Sequence, residues 1–180
     1  MRKEANRKKI MHGQGGFTLV EMLAALLIMV LIALITAGGI PLVLNAYNAV
    51  VGESDAQLLL STTMTELRNE LASASEISIS TDGKSVEYRS SATGAVSCIS
   101  LDGSKQQIQL TRYLGYDTAS GGSTRPLVSE KAATKNLKAV YEAIGMTDGV
   151  IRVSGLQVLG KDGEERCSVE DFYIRNLASS

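Results

Sequence analysis

Between Phe17 and Leu44 lie 28 residues, of which 22 are apolar, and no charged residue occurs from Met22 to Gly52. No other feature restricts the chain so strongly. A helix from Phe17 to Ile40 has 24 residues. At ~1.5 Å per residue it is about 36 Å long, enough for the ~30 Å hydrocarbon core of a bilayer. The buried helix of a soluble domain is rarely apolar on every face, so the run reads as a membrane span.

Charge is distributed around this run unevenly. Residues 1–16 hold Arg2, Lys3, Arg7, Lys8 and Lys9 against Glu4, a net charge of +4. The rest carries 13 basic and 18 acidic residues, a net of −5, and the overall balance gives no sign of a nucleic-acid partner. The only histidine, His12, sits in the basic segment. If that segment is removed, Ser-His-Asp and Cys-His catalysis and His-ligated metal sites are excluded. Two cysteines are too few for a thiolate zinc site, and 4% aromatics without tryptophan argue against an aromatic-lined groove.

The order of the parts differs from a secretory signal, in which cleavage follows the apolar stretch. Here Met11-His12-Gly13-Gln14-Gly15-Gly16 precedes it, followed by Phe17-Thr18-Leu19-Val20-Glu21. A cut after Gly16 removes the charges and keeps the helix. Glycine suits that position, because a Cβ obstructs the approach of a protease to the backbone. Glu21 sits about one turn into the run. A carboxylate in hydrocarbon costs roughly 2.5–3.5 kcal/mol, so it needs a partner, a route to the interface, or a helix N-terminus.

Gly16-Phe17-Thr18-Leu19-Val20-Glu21 resembles the processing motif of type IV prepilins and of the pseudopilins of type II secretion and competence systems. The resemblance implies that a membrane-embedded aspartyl prepilin peptidase cuts between Gly16 and Phe17 and methylates the new amine of Phe17. It implies that Glu21 pairs with the N-terminal amine of a neighbouring subunit as a filament grows. By the positive-inside rule the leader stays in the cytoplasm and everything after Leu44 lies across the membrane.

Gly38-Gly39-Ile40-Pro41 predicts a kink or locally melted turn near residues 37–41, with a plain helix end as the alternative. Beyond it, Leu60, Met64, Leu67, Leu71 and Ala74 recur at helical spacing, which predicts helix from Leu42 to about Ala74 with this stripe against a core.

From Glu76 the period changes to two. Turns at Thr81–Lys84, Ser90–Gly94 and Asp102–Lys105 predict a four-strand antiparallel meander ending at Tyr113. Residues 117–125 read as a loop. Leu137, Val140, Tyr141 and Ile144 predict a short helix within 128–144, with Lys131, Lys135 and Lys138 on its solvated face. Val150–Leu159 and Arg166–Ile174 predict a closing hairpin. The ending Phe172–Leu177 resembles the last strand of minor pilin-like proteins.

Cys98 and Cys167 both fall on predicted strands, off the core face. A disulfide between them and two free thiols both remain open, the bond being chemically allowed outside the cytoplasm. The four Asp-Gly pairs are explained as turns rather than calcium loops. No G-x-S-x-G elbow is present.

The chain is therefore expected to be α+β and pilin-like, with a long N-terminal transmembrane and amphipathic helix packed on an antiparallel sheet. Its expected parts are a removed leader (1–16), a transmembrane half-helix (17–41), an amphipathic half-helix (42–74) and an exported β-rich domain (75–180). The expected role is a minor pilin or pseudopilin subunit without catalytic activity, cofactor or metal. Its expected partners are the peptidase, other pilin or pseudopilin subunits, a membrane platform protein with its assembly ATPase, and the lipid bilayer. The alternative is a single-pass anchored extracytoplasmic binding module.

Overall fold

The computed structural model describes residues 16–104, 106–115, 118, 121–129 and 136–178. Its one long helix, α1, spans Leu19–Leu71, 53 residues. The helix runs through Pro41 without interruption. The melted turn expected at residues 37–41 is not formed, and neither is a helix end there. Proline removes one donor, but in an apolar run the neighbouring backbone groups have no partners other than their own helix, which favours keeping the ladder on both sides. Thr36 follows the same rule, its Oγ1 donating to the carbonyls of Ile32 at 2.8 Å and Ala33 at 3.0 Å.

The chain divides into two compact units, Met1–Tyr47 and Asn48–Ser180. In the first, every described residue except Gly39 is exposed, including Leu27, Met29, Leu34 and Ile35. In the second, α1 turns Ala56, Leu59, Leu60, Thr63, Leu67 and Leu71 inward. That stripe is wider than the one read from spacing alone and includes a hydroxyl. Thr63 is tolerated there because its Oγ1 donates to the Leu59 carbonyl at 2.7 Å.

Five strands follow as an antiparallel meander: β1 (Ser75–Ile79), β2 (Ser85–Arg89), β3 (Val96–Asp102), β4 (Gln107–Tyr113) and β5 (Gly122–Pro126). The fifth corrects the reading of residues 117–125 as a loop. Gly-Ser-Thr-Arg-Pro shows no apolar alternation because β5 is an exposed edge, held by its pairing with β4.

The second sheet contains β6 (Lys138–Val140), β7 (Ala143–Thr147), β8 (Val150–Leu159) and β9 (Glu165–Arg175). β8 is central, with β9 along one edge and β7 then β6 along the other. The helix expected within 128–144 is therefore replaced, where described, by two short strands. Tyr141 and Glu142 link them in unbroken register against β8, with Val140 opposite Gln157 and Ala143 opposite Ser154, but Val140, Tyr141 and Ile144 are all buried, which gives them a helix-like spacing. The β7–β8 turn uses Asp148 and Gly149 at φ 49° and 74°, as a type I′ hairpin demands.

Val86, Tyr88, Ile99, Ile108 and Leu110 from the first sheet share one core with Ile151, Val153, Leu156, Val158, Phe172 and Ile174 from the second. The β1–β2 hairpin tip joins the sheets. The Gly83 carbonyl accepts from Ile144 N at 2.9 Å, and the Lys84 carbonyl accepts from the Tyr141 hydroxyl at 2.7 Å. Gly83 is at φ +67°, and a Cβ there would lie 2.9 Å from that of Ala143, so only glycine fits.

Candidate processing and assembly site

The chemistry singled out in the sequence gathers at the start of α1. Gly16, Phe17 and Thr18 precede the helix and are exposed, Phe17 at 80%. The space beside Gly16 is open, with no atom within 4 Å of where a Cβ would stand. The Gly16–Phe17 peptide thus lies outside the helix, free of tertiary contacts at the glycine.

Thr18 and Glu21 bracket the first turn. Glu21 N donates to Thr18 Oγ1 at 3.3 Å. In return Glu21 Oε2 accepts from Thr18 N at 2.9 Å and from Thr18 Oγ1 at 3.1 Å. This reciprocal pattern is a capping box, in which a threonine at the N-cap and a glutamate three residues on satisfy each other's orphan donors. The carboxylate also sits where the helix dipole favours negative charge. Of the settings expected for Glu21, the helix N-terminus is the one formed in the monomer, and the part taken by Thr18 is what the sequence reading did not include. The box fixes the helix start two residues beyond the Gly16–Phe17 peptide.

The other singled-out residues lie elsewhere. Cys98 and Cys167 are both free thiols. They stand on β3 and β9, in different sheets, so the bond considered from the sequence is not formed. Cys98 does oppose Ile99 across its strand, but it is buried, with Glu87 and Thr111 as its cross-strand neighbours. Cys167 packs against the core instead of facing away. The reason is a change of phase along β9: Cys167 and Val169 point inward, and then Phe172 and Ile174 do. The change falls opposite Gly155 of β8, which takes φ +60°, and there the ladder keeps its register while the buried face of β8 passes from Ile151 and Val153 to Leu156 and Val158. Burial, and secondarily Glu87 beside Cys98 and Glu165 beside Cys167, push both thiols above the usual range, so they are poor nucleophiles.

Lys138 is exposed on β6, while Lys131 and Lys135 lie outside the described residues, as do residues 1–15 of the leader. Among the described residues no group of three or more His, Cys, Asp or Glu side chains is placed to hold a metal ion.

Residues 11–37 match the family model of the prokaryotic N-terminal methylation motif. The chain carries a prepilin-type N-terminal motif on a pilin-like α+β fold. The matched segment contains Gly16, Phe17 and Glu21 together with the first half of the apolar helix. No curated protein and no solved structure matches the chain. The helix that begins in this motif is long and apolar enough to cross a membrane once.

Proposed function

We propose that this protein is a minor pilin or pseudopilin subunit, cut by a prepilin peptidase between Gly16 and Phe17. In this reading the peptidase also methylates the Phe17 amine, and the subunit joins a pilus-like filament through α1. The observation that carries the reading is the exposed, non-helical Gly16–Phe17 peptide immediately before a capped apolar helix. A protease binds an extended backbone, and the capping box keeps the helix from enclosing the scissile bond.

The leader then stays cytoplasmic by its +4 charge, α1 anchors the chain once in the bilayer, and the sheets lie on the far side. The role is structural: the partners are other subunits, with a platform protein and an ATPase driving assembly for secretion, DNA uptake or adhesion.

Processing tests this directly. The full chain is expressed in membranes with and without a prepilin peptidase, beside Gly16→Leu. With the enzyme present, the wild-type chain should begin at Phe17 and carry one added methyl group. Gly16→Leu should remain full length. Phe17 as the first residue of Gly16→Leu, or an uncut wild type in the presence of enzyme, would overturn the proposal.

A further inference from the structure

Helix α1 stops at Leu71 without a local reason to stop. The sequence Leu71-Ala72-Ser73-Ala74-Ser75-Glu76-Ile77 has no glycine, asparagine or proline, the residues that ordinarily end a helix. Alanine and glutamate favour its continuation. Ala72 N still donates to the Arg68 carbonyl at 2.9 Å in helical fashion.

The cap comes from the other end of the chain. Asn176 is 5% exposed, and its Nδ2 donates to the carbonyls of Leu71 at 2.9 Å and Ala74 at 2.8 Å. Leu177 N donates to the Ala72 carbonyl at 2.7 Å. Asn176 is itself held, its N donating to the Gly149 carbonyl at 2.9 Å and its Oδ1 accepting from Ala178 N at 3.1 Å. Three carbonyls at the helix end are thus satisfied by residues about a hundred positions away.

The strand on the other side of this boundary is under strain. Glu76 takes φ 51°, a left-handed conformation that its Cβ disfavours. The pairing of β1 with β2 loses register between Ser75 and Ser78. Winding α1 onward through Glu76 would relieve that φ and supply helical donors, Ser75 N and Glu76 N, to the Leu71 and Ala72 carbonyls. It would sacrifice the first part of β1 and the 2.8 Å ion pair of Glu76 with Arg89.

We infer that Asn176 and Leu177 form a C-terminal clasp that sets the boundary between α1 and β1, and that undocking the clasp lets α1 extend through Glu76 at the expense of β1. The two arrangements exchange one set of backbone hydrogen bonds for another, so a few contacts from the tail decide between them. This inference stands apart from the processing of Gly16.

The test uses the full chain in detergent micelles, with backbone 13Cα shifts and amide exchange read for residues 72–79. In Asn176→Ala, the shifts of Ala72, Ala74, Ser75 and Glu76 should move to helical values. The amide of Ser78, which faces Glu87 of β2, should exchange at least ~10-fold faster, while those of Ile99 and Leu110 hold their rates. Asparagine accepts a left-handed φ and is a weaker helix former than glutamate. Glu76→Asn combined with Asn176→Ala should therefore return the shifts toward strand values. In an otherwise wild-type chain, Glu76→Asn alone should slow exchange at Ser78. Wild-type or coil-like shifts at 72–76 in Asn176→Ala would overturn the inference. So would equal acceleration at Ile99 and Leu110, loss of the folded spectrum, or faster exchange at Ser78 in Glu76→Asn.

Discussion

In the proposed filament Glu21 would serve two demands with one carboxylate, and its variants separate them. Its charge is expensive in lipid, but its bonds to Thr18 begin the helix, and cleavage at Gly16 would create a cationic amine at Phe17 nearby. If the proposed array forms, one subunit's Glu21 would approach the next subunit's amine, and each charge would offset the cost of burying the other. Glutamine keeps the capping box but not the charge. Valine loses both and makes the span more apolar. Glu21→Val should therefore still insert and still be cut, because Gly16 and Phe17 are intact. It should fail to crosslink with neighbouring subunits. Glu21→Gln should keep the helix start yet also be impaired in crosslinking. Fractionation, processing and crosslinking of the three forms distinguish these roles. Crosslinking at wild-type levels by Glu21→Val would reduce the residue to a helix cap.

At the scale of elements, Gly155 explains both what the second sheet does and why part of it was hard to read. It lies at φ +60°, and a Cβ there would run into the side chain of Glu142. Gly155→Ala should cost roughly 1–3 kcal/mol from the left-handed backbone alone, with the clash adding to it. Adding Glu142→Ala should recover the clash but not the backbone part. Denaturant midpoints of the three variants measure this, and full recovery by the double variant would contradict the backbone argument. The change of buried face at Gly155 is shared by the strands beside it, with no extra residue in either ladder: it falls between Tyr141 and Ile144 on one side, and along β9 it turns Cys167 inward. Alternation carries the prediction of a strand only while its phase holds, so the region around Val140 imitated a helix and the side of Cys167 was inverted. β5 was illegible for another reason: an exposed edge has no buried side chains to mark it. The apolar run, the Leu60–Leu71 stripe and the first four strands were legible because burial there imposes an unbroken period, and the last hairpin because each half of its strands keeps one. At the site, Gly16, Phe17 and Glu21 were visible as a motif, whereas Thr18 acquires its part only once the helix start is known.

For the molecule as a whole, the unit Asn48–Ser180 contains all the buried residues of α1, the first being Ala56, together with both sheets. A fragment beginning at Asn48 loses no core side chain and sheds the exposed apolar run. It should be soluble without detergent, show mixed helix and strand by circular dichroism, and unfold in one cooperative transition. Its response to alkali follows from two buried phenols. Burial, and then the Glu70 carboxylate to which it donates at 2.7 Å, push the Tyr88 hydroxyl far above its ordinary range. Burial does the same to Tyr141, with smaller contributions from Cys98 and Asp82. A phenol that resists ionisation only when folded contributes stability that is fully present below its unfolded pKa of ~10. Above that pH the unfolded chain gains charges that the folded one refuses, so the contribution is lost as pH rises. The urea midpoint should therefore stay level from about pH 7 to 9 and fall beyond about pH 10. Tyr88→Phe should start from a lower midpoint, having lost its bond to Glu70, but decline less steeply, since one of the two phenols is gone. Equal alkaline slopes in the two proteins would show that Tyr88 ionises as readily inside the fold as outside it. That result would be incompatible with a closed core between α1 and the first sheet.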